Sequence, residues 1–143
     1  MRLNIGLIAT AMLALFFPAT LGAGQVLEFG SGDWRNIPEM RQQADTALDA
    51  KIVGAISEMI NRGQCVIEGQ RPGRVDLTVP FLVKFVADGS VDRLVVHQLN
   101  CPGAEGLLGG ALLRMVQLGS FQPIGGRRAG WFRGEVNIVG IDK

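Results

Sequence analysis

The chain has 143 residues, enough for one domain with a modest core once any targeting segment is set aside. Its 14 Lys and Arg stand against 13 Asp and Glu, so nothing in the balance argues for nucleic acid or an anionic membrane surface as a partner. The excess in the 48% hydrophobic content is concentrated in the first two dozen residues, and the remainder has an ordinary soluble composition.

Residues 1–24 have the layout of a secretory signal. Arg2 gives a short positive start, Ile5 to Phe17 form an apolar block, and Pro18 precedes small residues ending at Gly22-Ala23-Gly24. Cleavage after Gly24 puts glycines at both positions that a signal peptidase inspects. The alternative is an uncleaved inner-membrane anchor, because extending the run to Ala23 approaches the roughly 20 residues that span a bilayer. Residues 25–36, with Gly30 and Gly32, lack a sustained period and read as a flexible arm from which Trp34 docks elsewhere. The domain proper is then 37–143.

From Asn36 the pattern becomes helical. Asn36 is the expected N-cap, Pro38 suits the first turn and Glu39 the positive helix end. Met40, Ala44, Ala47, Leu48, Ile52, Ala55, Ile56, Met59 and Ile60 recur at three- and four-residue steps, and Gly63 supplies the stop. After a loop at 69–74, a strand is expected over 75–86. Its Leu77, Val79, Phe81, Val83 and Phe85 share one face, and Pro80 suggests a bulge or a locally unpaired side. Asp88-Gly89 turns the chain into a second strand, 91–99. A glycine-rich helix over 104–117 follows, with Leu107, Leu108, Ala111, Leu112 and Met115 on one side. Its Gly106, Gly109 and Gly110 fit close packing better than a phosphate loop, because no Lys-Ser/Thr pair follows. The connector 118–131 carries a small basic spot, Arg127-Arg128, read as solvated charge, and the last strand spans 131–141.

Chemistry-bearing residues are few. An even pair, Cys65 and Cys101, in an exported chain reads as one disulfide, with thiolate chemistry the alternative. Joined by His97, the pair gives only three metal ligands without a tight spacing, so no metal or other cofactor is expected. His97 itself is expected to be a half-exposed strand residue rather than a proton carrier. No nucleophile, base and acid fall into a catalytic pattern, and no small-molecule substrate is expected.

The order helix, strand, Asp-Gly turn, strand, helix, Phe-x-Pro, strand resembles the C-terminal domain shared by the TonB and TolA energy-transducing proteins. "VKFVADGSVDRLVV", "LLGGALLRMV" and "GSFQPI" carry the likeness over roughly 75–141, and the preceding helix with Cys65 leans toward the TolA-like form. The long Pro-rich or Ala/Lys-rich reach of that family is absent, as is its aromatic before Phe121. The resemblance implies an α+β fold, a three-stranded antiparallel sheet with two helices on one face. It also implies a non-enzymatic periplasmic module that binds a periplasmic or outer-membrane protein segment by strand addition. The contact surface would be the last strand: Phe132, Arg133, Gly134, Glu135, Val136, Asn137, Ile138 and Val139. The alternatives are a membrane-anchored component of TonB- or Tol-type transport machinery, a small secreted enzyme, and a purely structural strand whose edge is covered by the arm at Val26 to Phe29.

Overall fold

The computed structural model describes residues 25–126 and 129–141. The signal-or-anchor reading of 1–24 and the Arg127-Arg128 spot lie outside those residues. In chain order the elements are β1 (Val26–Gly30), β2 (Arg41–Gln42), α1 (Ala50–Asn61), β3 (Arg74–Phe85), β4 (Val91–His97), α2 (Pro102–Gln117), β5 (Phe121–Gln122) and β6 (Gly130–Ile141).

The α+β class holds, but the sheet is larger and of mixed direction. Four strands run in the order β1-β4-β3-β6, and β2 and β5 form a separate two-stranded pair. The three antiparallel strands expected from the sequence are its β4, β3 and β6. The fourth, β1, occupies the segment expected as an arm and lies parallel to β4, with Leu27 opposite Leu94 and Phe29 opposite Val96. The alternation Val26-Leu27-Glu28-Phe29 is the physical reason: its two inward side chains pack against the core.

β3 and β6 pair antiparallel along their whole length, from Arg74 opposite Ile141 to Phe85 opposite Gly130. One face of this ribbon is apolar. Val75, Val79, Phe81, Val83 and Phe85 of β3 join Phe132, Val136 and Ile138 of β6 in the core, together with Ile56 and Ile60 of α1 and Leu108 and Leu112 of α2. Burying each such side chain stabilises by about 1.5–3 kcal/mol before the entropy of ordering is subtracted. Leu94 and Val96 of β4 face the same core, whereas Val95 between them faces out, which resolves the run of three apolar residues there.

Pro80 makes no bulge. Pairing of β3 with β4 begins only at Phe81, so the donor that Pro80 lacks costs no bond with β4, and the register shift falls instead at Lys84/Phe85. The Asp88-Gly89 turn forms as expected, with Gly89 at φ 83. The Ser90 hydroxyl and N–H donate to the Asp88 carboxylate at 2.6 and 2.8 Å and hold it below the ordinary carboxylate range.

The first helix is shorter than expected. Asp49 caps it by accepting from Lys51 N at 2.7 Å, so residues 38–48 are not helical although their apolar spacing fits a helix. Their backbone groups are engaged elsewhere: Pro38 and Met40 bond to Arg133, and Arg41-Gln42 pair with Phe121-Gln122. Tertiary pairing overrides local periodicity here. Gly63, at φ 71, follows the helix end as expected, its N–H donating to the Ile60 carbonyl. α2 begins two residues early because Pro102 fits the first turn.

Candidate functional site

Strand geometry decides what β6 offers at its outer edge. The Arg133 N–H donates to the Pro38 carbonyl and the Arg133 carbonyl accepts from Met40 N–H, both at 2.8 Å, so the backbone of Arg133 points away from β3. Strand alternation then turns Glu135, Asn137 and Val139 the same way and places Phe132, Gly134, Val136 and Ile138 in the ladder with β3. Among the described residues, no backbone group pairs with Glu135, Asn137 or Val139 on the outer side. All three are exposed, Val139 at 56%.

The eight residues expected as a contact surface therefore separate into two sets. Arg133, Glu135, Asn137 and Val139 present backbone to the rim, and Arg133 is already engaged. The side chains of Phe132, Val136 and Ile138 are core, and their N–H and C=O groups belong to the ladder with β3. Gly134 has a different task. A Cβ there would lie 2.6 Å from the Phe81 ring and 2.9 Å from the Met40 methyl, so its bare backbone lets Met40 tuck over the sheet.

The segment that reaches Arg133 is a strap. It leaves β1 at Gly30, sets Trp34 edge-on to His97 with ring centroids 5.8 Å apart, and arrives at β6 through Pro38–Met40. His97 is thus an aromatic contact of the strap on the outer sheet face, and its Nδ1 lies 3.0 Å from the Gln98 carbonyl oxygen. Within the strap, Asp33 accepts from Arg35 Nε and Nη2 at 2.8 and 2.6 Å, which holds its carboxyl below the usual range. At the far end Arg133 forms an ion pair with Glu39 and lies 3.8 Å from Glu135. The arm around Val26 to Phe29, weighed as a cover for β6, sits on the opposite rim of the sheet. The cover that does exist comes from residues expected to be helical, and it reaches only the Arg133 end.

Alongside the uncovered part runs a groove between β6 and α1, lined by Leu48, Val53, Gly54, Ser57, Asn61 and Val139, among others. α1 runs in the direction of β6: Asn61 Oδ1 accepts from Gly73 N at 2.8 Å, next to the Arg74–Ile141 pair that ends the sheet. Ser57 lies against Gly140, where a Cβ would come within 2.8 Å of the Ser57 Cβ. Its hydroxyl is buried without a hydrogen-bond partner among the described residues.

Compared against protein-family models, curated proteins and solved structures, the chain matches none.

The cysteines meet as expected: Cys65 and Cys101 are disulfide-bonded, with Cα atoms 5.4 Å apart, joining the segment after α1 to the N-cap of α2. Among the described residues, no three His, Cys, Asp or Glu side chains gather around one point, and no helix is long and apolar enough to cross a membrane. Sequence reasoning missed the strap contact at Arg133, the Ser57 hydroxyl and the roles of Gly134 and Gly140. The signals were present: two glycines on the inward register of an otherwise apolar strand, and a serine beside Ile56 on the helix stripe.

Proposed function

We propose that this protein is an exported, non-enzymatic protein-binding module that takes an extended segment of a partner along the outer edge of β6. The observation that carries this reading is the row of three outward-facing residues, Glu135, Asn137 and Val139, which no backbone of the described residues pairs. Each offers one N–H and one C=O, so a partner segment of about five residues completes the ladder. Strand addition draws affinity from those backbone bonds and selectivity from alternate side chains. That stretch carries neither proline nor lysine, two of the devices by which edge strands resist pairing, and Glu135 is its one charge.

The likeness to the TonB and TolA C-terminal domain supports the same edge, and it points to a periplasmic or outer-membrane protein as the partner. The bonded cysteines fit an oxidising compartment, and the layout of residues 1–24 fits export, with a retained inner-membrane anchor as the other outcome. The test is photo-cross-linking from position 137 in living cells, with and without Glu135→Pro. Proline at 135 removes an outward N–H and leaves the ladder with β3 intact. A discrete protein adduct that disappears with proline is expected. An adduct equally strong with proline would sink the edge reading.

A further inference from the structure

Resting on that reading of the β6 edge, we infer that Glu135 and Val139 choose the segment the edge captures. That segment carries a lysine or arginine across from Glu135 and an apolar residue four positions away, across from Val139.

The first observation is reach. Phe132, Val136 and Ile138 turn their side chains into the core, so Glu135, Asn137 and Val139 turn theirs to the outer sheet face, away from both helices. Directly opposite residues in paired strands share a face, so the side chains of a captured segment meet these three there. The Glu135 side chain is 54% exposed and Val139 56%.

The second is charge. The ladder partner of Glu135 in β3 is Pro80, which carries none. Among the described residues, the one cation within 4 Å of Glu135 is Arg133, and its guanidinium is also ion-paired with Glu39. Glu39 lies opposite Arg133, on the line a captured strand would continue, about two strand steps or 6.8 Å from the place across from Glu135. That place therefore has a carboxylate beside it and another ahead of it, with one guanidinium between the two. A basic side chain completes the group. A second copy of β6 would not supply it, because residues 134–141 contain no Lys or Arg.

The third is spacing. The ladder partner of Val139 is Asp76, which leaves the apolar side chain uncovered on that face, whereas the Asn137 amide oxygen already accepts from the Thr78 hydroxyl at 2.8 Å. The demands of the rim thus fall at its two ends, four residues apart. Meeting both fixes the register, since a slip of two residues sets the cation against Asn137.

The experiment is selection of a phage-displayed library of random peptides of about 12 residues on the purified, disulfide-bonded protein, in parallel on Glu135→Lys, Glu135→Gln and Asn137→Pro. Enriched peptides are then synthesised and titrated. The parent should enrich Lys or Arg four positions from an apolar residue, in either chain direction. Glu135→Lys should enrich Asp or Glu in place of the basic residue and keep the apolar one, and Glu135→Gln should lose the charge preference. Replacing the basic residue of a selected peptide by Gln should weaken binding to the parent about threefold, and less in high salt. Both Glu135 variants should melt close to the parent, because the side chain is exposed. An unchanged consensus on Glu135→Lys, with capture still lost on Asn137→Pro, overturns the role of Glu135 and leaves the edge standing. A parent that sediments as a dimer, and as a monomer with Asn137→Pro, puts a second copy on the rim and overturns this inference. Peptides that bind Asn137→Pro as well as the parent, or no enrichment at all, overturn the edge reading and this inference with it.

Discussion

The two rims of the main sheet are finished in different ways. At one, β1 contributes five residues, and the Gly30 carbonyl accepts from Gln98 N, so Val26, Glu28 and Gly30 turn their backbone toward β4. Only Leu27 and Phe29 point their N–H and C=O groups outward, and their side chains are committed to α2. A Cβ on Gly109 would lie 2.9 Å from Leu27 and 3.1 Å from Phe29. At the other rim, β6 has 12 residues and, among the described residues, a single engaged outward position, Arg133. The chain thus shortens one edge to almost nothing and closes only one end of the other. A rim that is short and packed serves stability, whereas a long rim with exposed Glu135, Asn137 and Val139 leaves hydrogen-bonding capacity unused.

The largest effect that bears on this contrast should come from the disulfide, because it ties the end of α1, which packs beside β6, to the start of α2, which packs beside β1 and β4. On the chain-entropy account, replacing Cys65 and Cys101 by serine costs about 4 kcal/mol. Denaturant unfolding would read this as a lower midpoint with an unchanged slope. Peptide capture by the fraction still folded should persist. Capture lost from folded protein would show that the open rim depends on long-range bracing rather than on its own geometry.

Two prolines one residue apart sharpen the comparison within β6 itself. Val136→Pro removes a donor from the ladder with β3 inside the core and should cost about 3 kcal/mol. Asn137→Pro removes an outward donor together with the Oδ1 acceptor of the Thr78 hydroxyl, so its stability cost should stay within about 1 kcal/mol while capture is lost. Equal costs would mean that the assignment of inward and outward residues is wrong. On the other rim, Phe29→Ala should destabilise by about 2 kcal/mol, below the usual range for a fully buried ring because Phe29 is half-buried. Capture at β6 should not change, and thermal melting beside a peptide titration checks both halves.

The parts legible in the sequence were those that local rules decide. The hairpin of β3 and β4 was readable because alternation and Asp88-Gly89 specify it together, and α2 because Leu108, Ala111, Leu112 and Met115 recur at helical steps. The disulfide followed from there being only two cysteines. Residues 38–48 misled because Met40, Ala44, Ala47 and Leu48 have helical spacing, yet the bonds that decide their conformation lie about 80 to 95 residues away, at Phe121, Gln122 and Arg133. β1 was missed for the same reason: a five-residue strand pairs parallel only once β4 exists, and no turn beside it announces the partner. Of the site, the strand could be named, but which of its residues face outward could not. That depends on one contact, Arg133 with the strap, which has no signature within β6.

That strap leads from the packed rim to the open one, and within it Asp33 and Arg35 shift one another's proton affinity, the carboxyl downward and the guanidinium upward. The Asp33 carboxyl is held below its ordinary range chiefly by the hydrogen bond from the Arg35 side chain, with the Arg35 N–H adding to it. A carboxyl lowered in the folded state binds its proton less readily there than in the unfolded chain. Its contribution is therefore complete above the unfolded value and is lost as pH falls through the folded one. Both side chains are exposed, with relative accessibilities of 56% for Asp33 and 83% for Arg35, so the effect on global stability should be the smallest considered. The readout is local. In a carbon-detected NMR titration, the Asp33 side-chain carboxyl should show a midpoint below that of an unstructured aspartate, and the backbone signals of Trp34 to Glu39 should move with it. Asp33→Asn should abolish that coupled movement while the signals of Leu27 and Phe29 stay where they were. A strap whose signals ignore the Asp33 titration would show that its route to Arg133 is held by Trp34 and Met40 alone, and that acid acts on neither rim through this path.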